Sequence, residues 1–189
     1  MTVETLAGPS ALVAAVATVV GAVTLGLFFT KGQPWGTIND VSSIVLMLAT
    51  IPVALAIASW PSLRLGWPAG VAAVGVIGML GASVTQSLLV ARIATYQRLL
   101  PWTLGFGAVV GIWYVLIGWD GVRPGLIGDE LDRLAILAGV SFIALGYGWL
   151  RGNERHPVSI ISGIALLISS TWFLVRIGVL FISGDIYAA

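Results

Sequence analysis

Six long apolar runs take up most of this chain, and they leave very few folds open to it. They cover about Ala11–Phe29, Val41–Trp60, Ala69–Val90, Pro101–Trp119, Leu131–Leu150 and Val158–Ile182. A bilayer core of about 30 Å needs roughly 20 apolar residues in a helix, and each run meets that length. Open sheet leaves its edge hydrogen bonds unmade in lipid, so helix is the only reading of these runs. Charged residues make up 9% of the sequence, against about 25% in ordinary soluble domains. The expectation is an all-α integral membrane protein, residues 1–189 forming one membrane domain of six transmembrane helices. Short connections between runs favour antiparallel neighbours in one bundle.

Several activities are excluded by what the chain lacks. A formal charge of +1 offers no broad basic surface for nucleic acid. With no cysteine and one histidine, His156, the chain cannot build a disulfide, a thiol site or a multi-histidine metal site. No run contains Lys, so a retinal Schiff base within a helix is excluded, and there is no phosphate loop or H-E-x-x-H zinc motif. The sequence implies no cofactor and no metal. The N-terminus (MTVETLAGPS) has no Lys or Arg, so the first run reads as a retained helix rather than a signal peptide.

Prolines and tryptophans punctuate the runs. Pro68, Pro101 and Pro157 stand where helices should start, and Pro52 inside the second run should kink it. Trp35, Trp60, Trp67, Trp102, Trp119 and Trp149 fall at run ends, where an indole N–H reaches headgroups and water. The first, third and fifth connections hold Lys31, Arg92, Arg98, Arg151 and Arg155, while the other side holds Arg64, Arg123 and Arg133. By the positive-inside rule the first set is cytoplasmic, which places both termini outside the cytoplasm in a multi-pass protein of the cell membrane.

One stretch recurs. Gly32–Asp40 (GQPWGTIND) and Gly121–Asp129 (GVRPGLIGD) both fit G-x-x-x-G-x-I-x-D, and Trp60 and Pro68 match Trp149 and Pro157 at the same offset. A duplication of three spans would give halves of about 11–93 and 101–182. The odd number inserts the second half upside down, related to the first by a two-fold axis in the membrane plane. Gly36–Ser43 (GTINDVSS), followed by an apolar helix containing Pro52, resembles a motif in uncharacterised six-span prokaryotic membrane proteins. The resemblance runs from Met1 to about Trp60 and implies no activity and no functional residues.

The few polar residues near or within the runs are the candidates for chemistry. Asp40 and Asp129, the paired acids of the repeat, each precede an apolar run and read as helix caps that accept from free backbone N–H groups. Their sharper reading is an ion- or proton-binding pair, one near each face. Asp129, Glu130, Asp132 and Arg133 form a charged cluster at the start of the fifth run. Arg176 is the one charge deep in an apolar run, and either snorkels to the interface or turns inward to bind an anion or pair with Asp132. Gln86, with Ser83, Thr85 and Ser87, forms a polar patch in the third run, and Ser169, Ser170 and Thr171 occupy a comparable stretch of the sixth; the repeat sets Ser87 opposite Arg176, so the two patches lie at equivalent depth. Interhelical hydrogen bonding is the bland role for such a patch, and lining a polar cavity the sharper one.

Two functions suit this layout equally well. The first is passage or binding of a small solute or ion between two inverted halves, with Arg176, Gln86, Ser87 and Asp132 as the candidate polar site. The second is an accessory or assembly subunit of a larger membrane complex, which also fits short loops and scarce charge. The partners implied are the lipid bilayer, other membrane subunits or a second copy of the chain. A lipid-modifying enzyme using the acid cluster is a third reading, but no nucleophile or ligand set accompanies those acids.

Overall fold

The computed structural model describes residues 3–59, 67–121, 129–152 and 155–184, with the side chains of Asp120, Gly121 and Asp129 excepted. Among these residues the chain forms six α-helices and no strand. They are α1 (Val3–Lys31), α2 (Trp35–Ala58), α3 (Pro68–Val90), α4 (Tyr96–Gly121), α5 (Asp129–Gly152) and α6 (Pro157–Ser183). All six are long and apolar enough to cross a membrane. The chain is a six-helix membrane protein, and its apolar outer faces would contact lipid.

Helix starts and stops follow local chemistry. Pro68 and Pro157 occupy the first turns of α3 and α6, where a missing N–H breaks no helical bond. At the entry to α6 the His156 imidazole accepts from the Val158 N–H at 3.3 Å. Gly184 ends that helix in the left-handed region at φ 76°, and its N–H donates to the Leu180 carbonyl. Two expected starts shift. α4 begins at Tyr96, so Pro101 lies inside it, and α1 begins at Val3 with Pro9 inside.

Each helix packs on its neighbours in sequence, and α6 closes onto α1. The result is a closed ring in the order α1 to α6. Small residues set the seams, because lipid gives no hydrophobic drive for helices to meet and close backbone approach must do the work. A Cβ on Gly111 of α4 would lie 2.7 Å from the Gly139 carbonyl of α5. One on Gly118 would lie 2.6 Å from the Asp132 carbonyl. Lower numbers on α4 meet higher numbers on α5, and the same holds where Gly8 of α1 meets Gly178 and Ile182 of α6. Neighbours therefore run antiparallel around the ring.

This order gives the inverted repeat no support. Equating α1, α2 and α3 with α4, α5 and α6 moves each helix to the opposite side of the ring and reverses its direction. In a convex ring that operation is an inversion, which no rotation of a chiral chain can reproduce. A two-fold axis in the membrane plane would instead reverse the order of helices around the ring.

Candidate functional site: a central cavity with a polar layer on one side

A cavity of about 40 Å³ sits in the middle of the ring and takes lining from every helix. Thr18 comes from α1, Met47 and Thr50 from α2, and Met79 from α3. Val110, Phe142, Leu166 and Ser170 come from α4, α5 and α6. Tyr114 joins them, with its ring edge-on to Phe173 at 5.5 Å and stacked with Phe142 at 6.2 Å. A space of this size takes a water-sized guest, since one water needs about 10–15 Å³ by this measure.

The surroundings of the cavity differ sharply on its two sides. Seven residues along a helix return to nearly the same face, about 10.5 Å further on. One such step toward the end where α1, α3 and α5 begin replaces the lining with Ala11, Ala54, Ile57, Ala72, Ile117, Ala135, Phe173 and Ile177. All are apolar, and none is more than 7% exposed. The same step toward the other end reaches Leu25, Asp40, Ser43, Gln86, Thr103, Trp149, Ser159 and Gly163. Five of these eight are polar, and all but Ser159 are only half-buried. The ring is thus apolar and fully packed at one end, and polar and less buried at the other.

The hydroxyl groups show what this surface offers a guest. Thr18 donates to the Ala14 carbonyl, Ser43 to Asn39, Thr50 to Leu46 and Ser170 to Leu166, at 2.7–3.0 Å in their own helices. Each proton is used within its helix, so the lone pairs remain to accept. Gln86 Oε1 is buried and has no hydrogen-bond partner among the described residues.

The sequence candidates do not form one site. Gln86 and Ser87 lie near the end of α3, on the polar side. Gln86 is on the inward stripe with Met79, whereas Ser87 is exposed and donates to the Ser83 carbonyl at 2.8 Å. Arg176 and Asp132 lie on the packed side, near the end of α6 and the start of α5. Because α3 and α6 run in opposite directions, Ser87 and Arg176, each near the end of its helix, lie toward opposite faces of the membrane. Arg176 is half-exposed on the outside of the ring, 3.7 Å from Glu130, which also accepts from the Trp172 indole at 2.7 Å. Asp132 is 1% exposed and lies on the α5 face turned to α4, the face that Gly139 shares.

Asp40 is not a cap. α2 begins at Trp35, with Pro34 in the cap position and no side-chain cap bond, so Asp40 sits in the second turn. Gln33 Oε1 serves the helix entry instead, accepting from the Thr37 N–H at 3.2 Å and the Thr37 hydroxyl at 3.1 Å. Asp129 opens α5, but its side chain lies outside the described residues, and its capping role with it.

The sequence reading passed over Thr18, Ser43 and Thr50, while Ser170 belonged to the polar patch expected in the sixth run. A signal for α2 was present: Asp40, Ser43, Met47 and Thr50 are spaced three, four and three apart, one stripe of a helix. No family model, no curated protein and no solved structure matches this chain.

Proposed function

We propose that this protein binds a small solute or ion inside its helix ring and passes it across the membrane. The observation that carries the reading is the contrast between the two layers flanking the central cavity. A guest entering from the polar side meets oxygen acceptors down to mid-membrane, then a closed apolar layer. That is the arrangement of a path open to one side, in which passage requires the packed end to loosen. The path runs through the ring itself rather than between two inverted halves.

The orientation follows from the rim. Lys31, Arg92, Arg98, Arg151 and Arg155 are exposed around the polar mouth, and such a basic rim belongs on the cytoplasmic side. The termini would then lie outside the cytoplasm.

The test is uptake by the full chain in sealed proteoliposomes, with sodium, potassium, ammonium, urea and glycerol as the panel. Uptake of at least one solute above protein-free vesicles is expected, and Ser170→Leu, which fills the cavity, should reduce it severalfold. A panel that enters no faster than in empty vesicles would sink the reading.

A further inference from the structure

We infer that the polar end of the ring takes a small monovalent cation, held at the level of Asp40 on α2 and Gln86 on α3. The inference rests on the reading of the ring as a binding path and adds the class of guest. Asp40 and Gln86 lie seven residues from Met47 and Met79, two cavity residues on adjacent antiparallel helices, so both stand at one level on inward stripes. Asp40 is the one formally charged side chain in the cavity lining and its two flanking layers. Its single negative charge matches a single positive one.

The remaining chemistry points the same way. The hydroxyl protons of Thr18, Ser43, Thr50 and Ser170 are engaged with backbone carbonyls, leaving oxygen lone pairs as their unused capacity. Gln86 Oε1 adds a buried carbonyl oxygen with no partner among the described residues. Hard cations take oxygen ligands of this kind, whereas an anion would meet a carboxylate and a surface of lone pairs. A divalent ion would want more than one carboxylate, and no group of three acidic or histidine side chains gathers among the described residues. The basic rim opposes cation entry, but it is solvent-exposed and its field is screened within about 8–10 Å at physiological salt. It slows arrival and leaves selectivity at the Asp40 level intact.

The experiment melts the purified full chain in detergent with sodium, potassium, ammonium or choline chloride at equal concentration. At least one small cation should raise the melting temperature by about 3 °C over choline, the shift for a ligand near ten times its Kd. Asp40→Asn should abolish that rise, Asp40→Glu should restore part of it, and Gln86→Leu should weaken the apparent affinity about tenfold. Equal melting in all four salts would overturn the assignment, as would an Asp40→Asn protein that responds like the wild type. Should Asp40→Asn fail to fold, an unaltered response in Gln86→Leu overturns it instead. Vesicle uptake separates this inference from the broader one. Passage of urea or glycerol with no cation response would overturn the cation and leave the path. A cation response with no passage of any solute would overturn the path and leave the binding site.

Discussion

Asp40 and Gln86 lie on adjacent helices, each two turns along the same stripe from a methionine that lines the central cavity. On the other side of that cavity the same stripes continue as Ala54 and Ala72, both buried. Two seven-residue steps along each helix therefore lead from a carboxylate and an amide, past the cavity, to a wall of methyl groups.

This contrast is open to chemical mapping, because the chain has no native cysteine. Ser43→Cys and Thr103→Cys should react with a membrane-impermeant maleimide applied from the polar side. Ala54→Cys and Ala135→Cys should stay unlabelled from either side. Equal labelling of the two sets would mean that the apolar layer admits water.

The seam between α4 and α5 depends on the close approaches at Gly111, Gly118 and Gly139. A side chain at Gly111 would press on the Gly139 carbonyl, while one at Gly105 meets nothing within 4 Å. Overpacking a tight contact costs about 1–3 kcal/mol. Gly111→Leu should lower the melting temperature in detergent clearly, and Gly105→Leu should leave it nearly unchanged. Similar behaviour of the two variants would contradict the ring packing.

Arg176 offers a different contrast. Its side chain is half-exposed and pairs with an equally exposed Glu130. Exposed pairs contribute about 1 kcal/mol or less. Arg176→Lys should therefore melt with the wild type, and Arg176→Leu within a few degrees of it. A large loss in both would place the guanidinium in a buried network that the half-exposed side chain does not suggest.

Topology gives the fourth expectation. With the basic rim in the cytoplasm, a reporter active only in the cytoplasm should give no signal when fused after Ala189. Strong activity there would reverse the orientation and turn the polar mouth outward.

The sequence by itself determined the number of spans, their helical state and the membrane as their solvent. Those properties are local: an apolar run of sufficient length must satisfy its own backbone in lipid, whatever its neighbours do. Gln86 was legible for the same reason, since an amide in an apolar run stands out without any knowledge of contacts. Asp40 was misread because an acid ahead of an apolar run looks like a cap, and nothing in the run itself marks Trp35 as the true start. Ser43 and Thr50 are ordinary in composition and gain meaning only when α2 is turned to the ring centre. The rotation of each helix about its axis, and the order of helices around the ring, were decided only in the tertiary structure. Glycine-sized approaches such as Gly111 to Gly139 set them, and those pairs are distant in sequence. The same order separated Arg176 from Gln86, because antiparallel neighbours send the ends of α3 and α6 to opposite faces of the membrane.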